Sequence, residues 1–196
     1  MNKLLITAAL FAFGIWVWSE YFRAIPHLEE SGVLKNFKVE AVQPVSATYT
    51  VLDKSFIKPN RRVLHQASPF VGTFNDLAYV SNIDLLLAKE DFSASSQAQT
   101  VDFEQTQRCY QFQVTSGSSL AAQQVIANTL NISAIAASEQ IAQRLRRVKA
   151  GQRIVLHGDW VKVRSASTGQ YFQISPHPLP ANNCRIVRVQ QLQVLD

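Results

Sequence analysis

Ser138-Glu-Gln-Ile-Ala-Gln-Arg-Leu-Arg-Arg-Val-Lys-Ala-Gly-Gln-Arg-Ile-Val-Leu-His-Gly-Asp-Trp-Val-Lys-Val-Arg164 is the stretch from which the fold is read. Ser138 is a good helix N-cap, Glu139 favours the first turn, and Ile141, Leu145 and Val148 follow at i, i+4 and i+7. Gly151 stands where a helix terminates, after the basic Lys149, so a short amphipathic helix is expected over 139–149. Arg153–Arg164 then reads as one long strand, with turn residues at Ser167-Thr168-Gly169 and an expected hairpin partner at Tyr171–Ile174.

Working outward, Cys109–Val114 alternates strictly and predicts a half-buried strand, ended by Ser116-Gly117-Ser118-Ser119. Val125–Ile135 reads as a further extended segment, and Cys184–Leu195 as the final strand. Towards the N-terminus, Ala47–Ile57 is β-branched enough for a strand, Lys58–Arg62 is a turn, and Val63–Leu64 begins a return strand. Phe74–Leu87 is ambiguous: Phe74, Leu77, Ala78 and Leu85 suit a helix, whereas Ile83–Leu87 suits a buried strand. Lys89–Gln107 reads as a polar loop.

The chain has 196 residues, 47% of them apolar and 17% charged, with only seven glycines and seven prolines. That composition excludes a disordered chain, a collagen repeat and a disulfide-dense mini-protein. Leu4–Trp18 carries no charge and follows Lys3. With Trp16, Trp18, Tyr21 and Phe22 as interfacial aromatics, residues 1–22 are expected to be a signal anchor, with Leu4, Phe11, Trp16 and Trp18 in contact with lipid. A cleaved signal peptide is the rival, but Val17–Arg23 offers bulky residues where a signal peptidase requires small ones. The expected organisation is an anchor over 1–22, a stalk over 23–44 and a β-rich domain over 45–196. That places the chain in an inner membrane as a single-pass protein, with its bulk in the periplasm. Cys109 and Cys184, the only two cysteines, are expected to form one disulfide in that compartment, with two buried thiols as the alternative.

Strand, strand, helix, long strand, hairpin partner and final strand over about 108–196 is similar to the plan of an OB-fold, a small five-stranded Greek-key barrel. Gln140–Val163, with its Lys-x-Gly-x-x-Ile-x-x-x-Gly pattern, resembles the helix–Gly–strand passage of single-stranded-DNA-binding OB domains. Arg108-Cys-Tyr-Gln-Phe, Ile126-Ala-Asn-Thr, the helix passage and Cys184-Arg-Ile-Val-Arg-Val also resemble a group of uncharacterised membrane-anchored envelope proteins of Gram-negative bacteria. That resemblance implies a location and no activity; the group's tryptophan-rich last hairpin is represented here by Tyr171 and Phe172 alone. A membrane-anchored OB barrel is also similar to the haem chaperone of cytochrome c maturation. Its haem attachment resembles His-x-x-x-Tyr, whereas Val161 and Ala181 stand four residues after His157 and His177.

Charge is unevenly distributed: residues 139–196 hold 9 basic and 3 acidic residues, while 1–138 hold 10 and 11. Arg144, Arg147, Lys149, Trp160, Lys162, Tyr171 and Arg185 are the candidate binding face. It suits an acidic protein, anionic lipid or a nucleic-acid strand, and a solvated face is the bland alternative. The four histidines are scattered, Asp84, Glu90 and Asp91 read as a polar rim, and there is no phosphate loop, His-Glu-x-x-His or Gly-x-Ser-x-Gly. No catalytic residue, metal site, cofactor or small-molecule substrate is expected. The expected function is a non-enzymatic scaffold or accessory subunit of an envelope protein complex. The alternative is a nucleic-acid-binding module used in DNA uptake or transfer.

Overall fold

In the computed structural model the described residues are 2–21, 25–29, 36–59, 76–106, 108–166, 168–174 and 183–195. The architecture is mainly β. Helix α1 (Asn2–Tyr21) is followed by the long strand β1 (Phe37–Phe56), a 3-10 turn at Leu77–Tyr79, and strand β2 (Ile83–Lys89). A short helix α2 (Glu90–Ser93) and a 3-10 turn at Ala98–Thr100 lead into β3 (Val101–Thr106) and β4 (Cys109–Val114). Helix α3 (Ala122–Asn128), strand β5 (Thr129–Ala136), helix α4 (Glu139–Arg147), and strands β6 (Arg153–Ser165) and β7 (Cys184–Leu195) complete the chain.

Five strands close a barrel in the order β1-β2-β5-β7-β6, and β3 with β4 forms a separate two-stranded sheet. All barrel pairings are antiparallel except β5 with β7, which run parallel from Asn131↔Cys184 to Ala136↔Val189. Closure depends on β1, which pairs along one edge with β6 (Phe37↔Ser165 to Thr50↔Arg153) and along the other with β2 (Tyr49↔Lys89 to Phe56↔Ile83). Register shifts at Ala41/Gln43 and Val51/Asp53 accompany that double pairing, since bulges bend a strand and increase its twist.

Tyr49, Val51, Ile83, Leu85, Leu87, Ile132, Ala134, Ile154, Leu156, Val187, Val189 and Leu192 fill the barrel, and Ile141, Ala142, Leu145 and Val148 of α4 pack against them. Burying a side chain the size of Leu145 is worth about 1.5–3 kcal/mol. The expected helix is therefore present, and it ends at Arg147 with Val148 as its C-cap. Gly151 takes a positive φ of 85° and its N–H donates to the Val51 carbonyl, steering the chain from α4 into β6.

Several expectations are corrected. The barrel is not confined to 108–196: β1 begins at Phe37, inside the stretch expected as a stalk over 23–44. Cys109–Val114 is a strand, as its alternation says, but it belongs to the two-stranded sheet with Val101–Thr106 and not to the barrel. Alternation reports one buried face and is silent about which neighbour buries it. That partner strand lies within the stretch read as a polar loop, and the first residues of Val125–Ile135 are helical. For Phe74–Leu87, the strand reading of Ile83–Leu87 is the one observed, with a 3-10 turn ahead of it. Tyr171 makes only an isolated bridge with Arg164. The return strand at Val63–Leu64, His65 and His177 lie outside the described residues.

Residues 2–21 are helical, and Leu4, Leu5, Leu10, Phe11 and Phe13 are largely exposed. The side chains of Trp16 and Trp18 are not among those described. Among the described residues no helix is long and apolar enough to cross a membrane.

Gly158 lies at the β6 register shift, and a Cβ built on it would overlap the Arg188 carbonyl oxygen of β7. The atoms it would meet are all β7 backbone, from Arg188 and Val189, so no flexible side chain can give way. Gly158→Ala is expected to lose about 3 kcal/mol, at the upper end of overpacking costs, and a thermal melt lowered by several degrees checks it.

Candidate functional site

The residues of the expected binding face fall into two groups at different ends of the barrel. The first surrounds α4. Ser138 caps the helix, its Oγ accepting from the Ile141 N–H at 3.4 Å. The last turn carries Arg144, Arg146 and Arg147, the charge sign that the C-terminal end of a helix favours. Lys54 reaches across from β1, and its ammonium donates to the Arg146 carbonyl at 2.9 Å and to that of Val148. Burial, and then the neighbouring Arg146 and Lys149, push the Lys54 pKa down, which reports how crowded positive charge is here. Arg144 donates from Nη1 to the Leu192 carbonyl at 2.8 Å, while Arg147 and Lys149 stay exposed. Beside α4 a shallow groove of about 190 Å³ is lined by Gln140, Arg144, His157, Gln191 and Gln193, among others. His157 Nδ1 lies 2.8 Å from Ser46 Oγ at its exposed margin.

The second group lies further along β6. Glu40 is opposite Lys162 in the β1–β6 register and accepts a 2.9 Å bond from the Tyr171 hydroxyl. That hydrogen bond, with the carboxylate's charge, raises the Tyr171 pKa. Tyr171 is 49% exposed and Val42, at a β1 register shift, is 60% exposed. Arg185 is exposed on β7. Trp160 is half-buried and packs on the barrel core, so it offers no free stacking platform. Next to it, Asp159 receives Arg188 and Gln190, at 2.5 and 2.8 Å. From Arg153 at the α4 end to Lys162 the strand covers about 30 Å, so the seven residues do not form one continuous face.

The outer face of β2 and β5 is a third region, and it is covered. Leu86 is buried with Cys109 and Tyr110, and Ala88 with Phe92, Val101, Leu120 and Val125. Phe103, Tyr110 and Phe112 form an aromatic cluster with ring centres 6.2–6.3 Å apart. A disulfide joins Cys109 of β4 to Cys184 of β7, with the Cα atoms 5.3 Å apart, so the hairpin is tied covalently to the barrel strand beside β5.

Beneath the hairpin lies a polar cluster that sequence reading missed. Arg108, in the turn between β3 and β4, has a positive φ of 65°, a backbone geometry that costs a non-glycine residue of order 1 kcal/mol. Its guanidinium donates to the Ser81 carbonyl at 3.0 Å and stands 3.5 Å from Asp84. Asn131 donates to the Arg108 carbonyl and accepts from Gln105. The Asp84 carboxylate, 1% exposed, has no hydrogen bond of normal length; burial pushes its pKa up to about 6, offset only in part by Arg108 and then by Ser133 and Asn131. Asp84 is thus no rim carboxylate, and Glu90 on α2 is spent on an ion pair with Arg153. A lone Asp inside the apolar run Ile83–Leu87 was the signal available. Among the described residues no three metal-ligating side chains converge.

Because Asp84 has a higher pKa folded than unfolded, the native state holds the extra proton between about pH 4 and 6. Stability is therefore expected to fall as pH rises through that window, by up to about 3 kcal/mol, and Asp84→Asn should flatten the slope in denaturant titrations. Opening the Cys109–Cys184 loop is expected to cost about 4 kcal/mol and to speed amide exchange across 101–114 more than in β6. No known protein family, no curated protein and no solved structure matches this chain.

Proposed function

We propose that the chain is a non-enzymatic accessory or scaffold subunit of an envelope protein complex, held at the inner membrane by α1 and docking a partner through an OB-like barrel. The strand order supports the OB-like reading: the first, second and third barrel strands are followed around the circumference by the fifth and fourth. The third and fifth are parallel, and a single helix separates the third from the fourth. The anchor reading rests on the apolar side chains that α1 turns outward, and the disulfide accords with an oxidising compartment.

The covered outer face of β2 and β5 carries the choice between partners. OB barrels take oligonucleotides across their second and third strands; here Leu86 and Ala88 of β2 are buried beneath β3–β4 and its flanking helices, and Thr129 and Asn131 of β5 are hydrogen-bonded to Tyr110, Gln105 and Arg108. Val42 and Tyr171 remain exposed, Tyr171 hydrogen-bonded to Glu40, which stands opposite Lys162 on the neighbouring strand. An apolar anchor rimmed by charges is the make-up of a protein interface.

Crosslinking of the full chain in native membranes, with and without nuclease and at two salt concentrations, tests the reading. One nuclease-resistant set of envelope proteins is expected from the wild type. A Val42→Asp/Tyr171→Ala variant is expected to lose that set while keeping the wild-type melting temperature. Steeply salt-dependent retention of DNA instead, with no such set, is the signature of phosphate contacts and would transfer the barrel to the nucleic-acid class.

A further inference from the structure

We propose that the basic α4 end of the barrel docks on anionic phospholipid, so that the domain lies with this end against the membrane and displays the Val42–Tyr171 surface away from it. The proposal deepens the anchored reading and rests on it.

Three observations carry it. The first is where the chain enters the barrel domain. His27 bridges to Ala136 at the end of β5, the Leu28 N–H donates to the Ala136 carbonyl at 3.0 Å, and Ile25 packs on the barrel core. Ala136 is two residues from Ser138, the N-cap of α4. From Tyr21, the last residue of α1, to Ile25 the chain spans at most about 14 Å. The tether thus keeps the α4 end close to wherever α1 meets lipid.

The second observation is charge. Arg144, Arg146, Arg147 and Lys149 come from α4 and the residues after it, and Lys54 joins them from β1. Among the described residues the carboxylates on the same side include Glu139, Asp53 and Asp91, with Glu29 on the tether; Glu90 is committed to Arg153. Cations therefore predominate on the exposed surface. Charge-rich segments next to an anchor gain most from an anionic leaflet, and the effect decays within a Debye length.

The third is the length of α1. Its uncharged run, Leu4–Trp18, is about 22 Å long as a helix, shorter than the roughly 30 Å of a bilayer core. A short apolar segment combined with a polybasic contact binds lipid more firmly than either alone. A nucleic acid or an acidic polypeptide would also suit the charge, but neither would be held there by the tether.

The test uses the full chain reconstituted into phosphatidylcholine vesicles, with and without one-third phosphatidylglycerol, and follows acetylation of lysines by mass spectrometry. Lys149 is expected to react about fivefold or more slowly in the anionic vesicles, while Lys162 at the other end reacts equally in both. About 0.5 M salt should abolish the difference, since the Debye length then falls to a few Å. Arg144→Gln/Arg147→Gln should weaken the protection of Lys149 and leave the fold intact by circular dichroism. Equal labelling of Lys149 in both vesicle types, from protein that resists carbonate extraction, would overturn the lipid contact and leave the anchor standing. Protection that appears only when an acidic polypeptide is added would overturn it too. Protein that carbonate strips from the vesicles would refute the anchor, and with Lys149 unprotected it would remove both.

Discussion

The barrel closes through its longest strand, which meets β6 along its first part and β2 along its last. β1 is twenty residues long, and at Tyr49 and Thr50 it is joined to β6 on one side and β2 on the other. An open sheet of these strands would expose two edges of unpaired N–H and C=O groups, whereas closure satisfies them internally. Closure demands strong bending, and the register shifts at Ala41/Gln43, Val51/Asp53 and His157/Gly158 supply it. Gly158 belongs to the same constraint, since β6 meets the β7 backbone too closely there for any side chain. Once the barrel is closed, α4 has a cylinder mouth to cover, and its apolar stripe is buried by Ile141, Ala142, Leu145 and Val148.

A closed barrel of this size leaves its outer face to solvent unless something covers it. Here the chain covers part of that face itself, folding β3–β4 over β2 and β5 and joining it to β7 by the disulfide. The cover is not purely apolar. Arg108 adopts a left-handed backbone geometry to turn the hairpin and brings its guanidinium to the buried Asp84. Removing a charge pair from water costs more than a weak contact at this distance returns, so the ion pair itself costs stability. The hydrogen bonds around it, from Arg108 to the Ser81 carbonyl and from Asn131 to the Arg108 carbonyl, join the hairpin turn to the barrel.

Among the described residues, the surface around α4 and the one around Tyr171 differ chemically. Around α4 the surface is cationic and polar, with Lys54 closing the helix end and the chain's entry point adjacent. Around Tyr171 it is mixed, with exposed apolar groups next to a Glu40–Tyr171 hydrogen bond. Read along the chain, Arg144 and Lys162 look like parts of one basic stretch. The intervening strand carries them to different ends, so they do not belong to a single continuous face.

The amphipathic helix, the long strand after it, the alternation at Cys109–Val114 and the final strand were legible in the sequence, because each follows from periodicity or capping within a few residues of itself. The pairing of Cys109 with Cys184 was legible for a simpler reason: there are only two cysteines. Tertiary structure alone decided that β1 begins at Phe37, that β3 and β4 stand outside the barrel, that Asp84 is buried and that the basic residues divide. Each of these depends on which strand lies beside which, through contacts between residues far apart in the chain. Local pattern can say that a segment has a buried face, but only the closed barrel supplies the neighbour that buries it.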